Sequence, residues 1–163
     1  MNLGSTFVGI VLAIICIAPF LVLDQQRKKK KRNRLKSLNL NAHKVECKID
    51  THEFCGDYLI GIDTKKGVLF FNKKLKENSE EVSINLTQVK ECSIYTRYQE
   101  AKIKGQNFKE IQQLSLSFIP LDKSASEIKL TFFDADINMM LSGELESIKK
   151  WLTIINTQLA AKT

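Results

Sequence analysis

The sequence is short of the residues from which most reaction sites are built. It holds seven glycines and two histidines in 163 residues, and no G-x-S-x-G, no phosphate-cradling glycine loop and no H-E-x-x-H occurs. Those absences leave no nucleophile elbow, nucleotide cradle or metalloprotease helix. His43 and His52 have no Ser or Cys pattern beside them that would make a triad. An enzyme is not expected, and neither is a cofactor. No repeat or low-complexity tract is present. Charge is missing altogether from Met1–Leu23, and Met1–Thr6 carries no Lys or Arg.

What charge there is sits unevenly. Arg27, Lys28, Lys29, Lys30, Lys31, Arg32, Arg34 and Lys36 stand against one acid, Asp24, and account for the net charge of +7. The rest of the chain holds seventeen basic and seventeen acidic side chains. A nucleic-acid-binding domain would spread its basic surface over the fold, so no nucleic-acid partner is expected.

The uncharged stretch Leu3–Leu23 would extend roughly 31 Å as a helix, about the thickness of a bilayer's hydrocarbon core. It predicts a transmembrane helix over residues 1–23. A cleaved signal peptide would need a basic leader, and a lipoprotein reading of Cys16 fails because Ile14 and Ile15 precede it. The basic cluster after the stretch predicts a single-pass protein of the cell membrane, with its N-terminus outside and its C-terminal domain cytoplasmic. Residues 24–42 then read as a polybasic juxtamembrane linker, with one helical turn in Leu35–Ala42, and 43–163 as the domain. The eight basic residues are the candidate membrane-surface site, with anionic lipid headgroups as partner; the bland alternative is a solvated topological flank. Ser5, Gly9 and Ala13 recur every four residues and are the candidate helix–helix contact for self-association through the span.

From His43 the pattern turns to period two, the mark of half-buried strands. Val45, Cys47 and Ile49 alternate with charged residues, and Tyr58–Asp63 is a dense apolar run. Thr64–Gly67 reads as a hairpin turn into Val68–Phe71, and 73–81 as a charged loop. Val82/Ile84/Leu86, Cys92/Ile94/Tyr98, Leu114/Leu116/Phe118 and Ile128/Leu130/Phe132 alternate in turn. Ala101–Lys109 reads as a polar connection. Asp134–Asp136 turns into a further alternation of Ile137, Met139 and Leu141. The period then switches: Leu145, Ile148, Leu152, Ile155 and Leu159 form the stripe of an amphipathic helix, with Ser142 or Gly143 at its start and Trp151 on its flank.

These elements predict a transmembrane helix followed by a mainly β domain: a small antiparallel β-barrel or sandwich of about seven strands closed by one C-terminal helix. That order, Trp151 within Glu144–Leu159, and the strand Ile128-Lys129-Leu130-Thr131-Phe132-Phe133 resemble a pleckstrin-homology-like domain over about 43–160. The resemblance implies seven strands in two near-orthogonal sheets closed by the helix. The basic cluster of lipid-binding members is echoed only by Lys65, Lys66, Lys73 and Lys74, so phosphoinositide binding is not carried over.

Two motifs read as structural. His43, Cys47, His52 and Cys55 form H-x3-C-x4-H-x2-C, too cramped for a zinc loop, and fit reduced core cysteines with surface histidines. Asp134, Asp136 and Asn138 open like a calcium loop, but Met139 and Leu145 stand where Gly and Glu are needed. No metal is expected. Trp151, Phe132 and Phe133 read as packing rather than as a recognition surface. The expected role is a membrane-anchored binding or scaffold module with a protein partner; the alternative is a structural subunit of a membrane complex assembled through the span.

Overall fold

The structure is a computed structural model that describes residues 3–74, 79–103 and 106–161; side chains are described outside 3–15, 17–21, 101–103 and 106–107. The chain divides into two compact units, Met1–Ser37 and Leu38–Thr163.

One helix, α1, runs from Leu3 to Lys44. Residues 24–42 are therefore helical throughout, where a linker with one helical turn was expected. Among the described residues no helix is long and apolar enough to cross a membrane. This overturns the transmembrane helix over 1–23, the single-pass placement, and the topology with N-terminus outside and domain cytoplasmic. The physical reason lies in what the described part of α1 carries. After Val22 and Leu23 it holds Asp24 and then eight basic residues without interruption of the helix.

The second unit begins with the last turns of α1. The helix stops where Glu46 enters the left-handed region (φ 57°) and the Ala42 carbonyl accepts the amides of Val45 and Cys47. Val45–Ile49, expected as a strand, is a helix end followed by irregular chain. The first strand, β1, is Thr51–Cys55. It pairs antiparallel with β2 (Tyr58–Asp63), which pairs with β3 (Val68–Lys74), which pairs with β4 (Ser79–Asn85).

All six residues of β2 are buried, because both faces of the strand are covered. Tyr58, Ile60 and Ile62 face the main core. On the other face Gly61 lies against Ile49 and Leu38, and a Cβ there would meet Ile49 Cγ2 at 2.9 Å. Leu38 and Ala42 are accordingly buried at the end of α1. The β2–β3 turn hangs on Asp63. Its carboxylate accepts the amides of Lys48 (2.7 Å), Lys66 (2.9 Å) and Lys65 (3.0 Å), and Gly67 supplies the required positive φ of 66°.

The second sheet holds β5 (Val89–Ile103), β6 (Gln106–Pro120) and β7 (Ile128–Asp134), antiparallel in that order. The connection expected over Ala101–Lys109 is mostly strand, so β5 and β6 form a long hairpin. The β7 ladder covers only Gln113–Phe118 of β6. The outer part of the hairpin is thus a two-stranded arm.

The two sheets, of four and three strands, do not close into a barrel. The chain leaves β4 through a capped 3₁₀ turn, Leu86–Gln88, where the Asn85 side chain accepts the Thr87 amide at 3.0 Å. That turn takes the place of a β4–β5 ladder, and among the described residues β1 and β7 share none either. The sheets meet instead through side chains. Tyr58, Phe71 and Phe132 pack with centroids 4.5 to 5.7 Å apart, joining β2 and β3 to β7.

The last described element is α2 (Glu144–Ala160), which packs against β5, β6, β7 and the 3₁₀ turn. Its fully buried apolar residues are Ile148, Trp151 and Ile155. Trp151, expected on the flank, lies at the centre of the face. Leu152 and Leu159 are only partly buried, and Leu145 is exposed. The indole N–H donates to Glu53 Oε2 on β1 at 2.8 Å, and Lys150 Nζ reaches the same oxygen at 3.0 Å. The helix therefore ties to both sheets. The further alternation Ile137/Met139/Leu141 forms no strand; it is an exposed loop.

Candidate functional site

The basic segment of α1 is the largest concentration of charge. Helical geometry advances about 100° per residue. Arg27, Lys31 and Arg34 therefore fall on one side, Lys28, Arg32 and Lys36 on another, and Lys29 and Lys30 between them. The charges form a belt around the helix rather than one stripe, so a flat surface meets about half of them at once. Lys28 is exposed and pairs with Asp24 one turn earlier at 2.7 Å. A hydrogen bond and the charge of that carboxylate raise its pKa. Arg34 is half-buried and the others are exposed. The pairing of Lys28 with Asp24 removes most of one charge from what the belt can offer. Ser5, Gly9 and Ala13 fall on the part of α1 whose side chains lie outside the described residues, so their helix–helix contact lies outside them too.

The structure gathers a second set of polar groups that the sequence pattern did not flag, at the start of α2. Gly143 caps the helix with φ 108°, a conformation that glycine adopts without strain. Glu144 is buried, and its carboxylate accepts from the amide and the hydroxyl of Ser142. It lies so close to Gly56, at the β1–β2 turn, that a Cβ there would meet its Oε1 at 2.7 Å. Nearby are the Cys55 thiol and the hydroxyls of Tyr58 and Ser147. Both hydroxyls are buried, and among the described residues neither makes a hydrogen bond. Each acts electrostatically on Cys55.

Electrostatics define what this seam can do. Burial pushes the Cys55 thiol up, more than the neighbouring hydroxyls pull it down, and burial pushes the Tyr58 phenol up strongly. Neither ionises near neutral pH, so neither is an activated nucleophile. Burial lowers the pKa of Lys73, against the raising influence of Asp134, Glu80, Asp57 and Glu144. Its Nζ donates to the Thr131 carbonyl at 3.1 Å. Lys73 was expected at the edge of a charged loop; it is buried at the end of β3. The four lysines Lys65, Lys66, Lys73 and Lys74 therefore do not present one basic surface, since one of them points into the fold.

The remaining sequence candidates separate. Cys47 and Cys92 are buried, Cys55 is partly buried, and His43 and His52 are exposed. Burial pushes the Cys92 thiol up to about 12. Among the described residues no three His, Cys, Asp or Glu side chains converge as a metal site would require. Trp151, Phe132 and Phe133 are buried, which makes them packing residues. Asp134 opens a turn in which its carbonyl accepts the amides of Ile137 and Asn138.

A shallow groove of about 200 Å³ runs between the end of α1 and the β3–β4 pair, lined by Leu38, Val45, Phe70 and Val82. At its rim the Glu81 carboxylate takes hydrogen bonds from both Asn41 and Asn72, so the polar groups there are already matched to one another. No family model, curated protein or solved structure matches this chain.

Proposed function

We propose that the chain is a non-catalytic binding module. Its α1 segment Arg27–Lys36 engages anionic lipid headgroups, and its two-sheet domain presents a surface to a protein partner. The observation that carries this reading is the separation of charge: eight basic side chains on one helical segment, beside a remainder that is neutral. A solvated charge run needs no such segregation, whereas electrostatic adhesion gains about 1 kcal/mol per basic residue near an anionic surface. The pleckstrin-homology-like resemblance belongs to the same reading. The order of four strands, three strands and a C-terminal helix supports it, and the buried Lys73 speaks against phosphoinositide as the ligand. In the seam at the start of α2 burial pushes the thiol and the phenol up, so this reading asks no nucleophilic chemistry of them.

The test is co-sedimentation of the full chain with phosphatidylserine-containing vesicles and with neutral ones. Binding to the anionic vesicles alone is expected. It should fall by at least about tenfold when Lys28–Lys31 are all changed to Gln, and it should weaken at 1 M salt, where screening shortens to about 3 Å. Binding that ignores salt and charge would overturn the reading.

A further inference from the structure

The segment between β7 and α2 carries the most exposed bulky apolar side chains on the domain. Met139 is 98% exposed and Met140 79%, with Ile137 and Leu141, and Leu145 in the first turn of α2, also open to solvent. A connection needs no such residues. A polar turn would join β7 to α2 equally well and without placing apolar surface in water.

The loop is held at both ends. Asp134 fixes its start: the carbonyl accepts Asn138 N–H at 2.8 Å and Ile137 N–H at 3.1 Å, and Oδ1 accepts Asp136 N–H at 3.0 Å. Ser142 and Glu144 fix its end. The methionines therefore project from an anchored frame, which lowers the ordering cost of binding. Methionine is flexible and polarizable and suits surfaces that adapt to a helix laid on them.

Charge selects the occupant. From Phe133 to Ile148 the chain carries Asp134, Asp136, Glu144 and Glu146 and no basic residue. Asp136, just before the methionines in the chain, and Glu146, in the first turn of α2, are exposed, while Glu144 is turned inward. The nearest following bases are Lys149 and Lys150, and Lys150 is committed to Glu53. Lys73, which interacts with Asp134 and Glu144 from β3, is buried, so the exposed charges from Phe133 to Ile148 are acidic; they oppose an anionic bilayer and favour a cation.

We propose that the loop Ile137–Leu141 docks a cationic amphipathic helix of a partner protein. The helix's apolar face lies on Met139 and Met140, and its Lys or Arg side chains meet Asp136 and Glu146. The inference rests on the protein-partner half of the proposed function, for which it names a surface, and is independent of the basic-segment half, because none of these residues lies in α1.

The test is a fluorescence-anisotropy titration of the full chain against a labelled synthetic helix with one Leu face and one Lys face. Saturable binding is expected. It should weaken by at least about tenfold in M139S/M140S, since two Met side chains lose their burial. It should weaken likewise in D136N/E146Q. The control E91Q/D122N removes two carboxylates elsewhere on the domain and should leave binding within about twofold of the unaltered chain. No binding overturns the proposal, as does equal weakening by the control, which would indicate diffuse charge attraction. A second arm uses phosphatidylserine vesicles. Loss of vesicle binding in M139S/M140S would make the loop a lipid-inserting element and overturn the peptide assignment.

Discussion

Gly143 separates two segments that both carry bulky apolar side chains. On its C-terminal side α2 buries Ile148, Trp151 and Ile155 completely. On its N-terminal side Met139 and Met140 are almost fully exposed. The difference does not lie in hydrophobicity. It lies in where the backbone amides are spent. In α2 they close the helix ladder, and the side chains fall on one face with two sheets to cover. In the loop, Asp134 captures the amides of Asp136, Ile137 and Asn138 locally. A strand needs those groups for a ladder, so the alternation Ile137/Met139/Leu141 has the pattern of a strand without a strand's partner. Apolar content is a precondition of burial, and backbone pairing decides whether it happens.

The largest test of that contrast is Trp151→Ala. It removes a fully buried indole from the centre of the core and its hydrogen bond to Glu53. A loss of about 3–5 kcal/mol is expected, read as a drop in denaturant midpoint of the full chain. Leu152→Ala should cost clearly less, because Leu152 is only partly buried. Equal midpoints for the two variants would mean that the helix seats on its Leu152 face and would break the comparison.

A second, smaller effect sharpens it by comparing two aspartate-held turns. Asp134 spends its carboxylate on one backbone amide, and Asp63 spends its own on three. Burial works to raise the Asp63 pKa, but the amides of Lys48, Lys66 and Lys65 and the Lys66 charge outweigh it and hold the value below the usual carboxylate range. Asp63→Ala strands three donors and should cost about 1–3 kcal/mol. The sign of its pH dependence follows from the depressed pKa. The carboxylate's contribution is complete above the unfolded value of about 3.9 and is lost as pH falls from there through the folded value. Urea midpoints of the unaltered chain and Asp63→Ala should therefore differ fully at pH 7 and converge in strong acid. A gap that persists unchanged at acid pH would assign the effect to packing.

Much of the domain's order was legible, and the misreadings share causes. A dense apolar run marked β2, which is buried on both faces, and hydrophobic period marked β6, β7 and α2. It misplaced Val45–Ile49 because a helix end followed by irregular chain can alternate by accident over a few residues. It put Trp151 on the flank because a stripe counted from Leu145 starts on an exposed residue, which rotates the apparent face by one position. Lys73 and Glu144 were invisible as buried groups, since charge in a sequence signals solvent unless the partners are known. The partner of Lys73 is a β7 carbonyl 58 residues further on, and that of Glu144 is Ser142, two residues back, brought to it by the turn at Gly143. The closed barrel failed at a local feature, the Asn85-capped 3₁₀ turn, for which period-two counting has no signal. The basic belt could be read directly, because charge count does not depend on folding; its continuous helical form could not.

The smallest expected effect falls on the loop itself. If Met139 and Met140 face water in the folded chain as they do in the unfolded one, replacing both with Ser changes little between the two states. Each substitution should shift stability by no more than about 0.5 kcal/mol, against the several kcal/mol of Trp151→Ala. The same double variant is the one expected to lose the cationic helix. A midpoint that stays in place while binding falls would separate recognition from folding at this loop. A loss of stability approaching that of Trp151→Ala would instead mean that the methionines are covered in solution. The contrast across Gly143 would then vanish, and the loop would belong to the core that α2 completes.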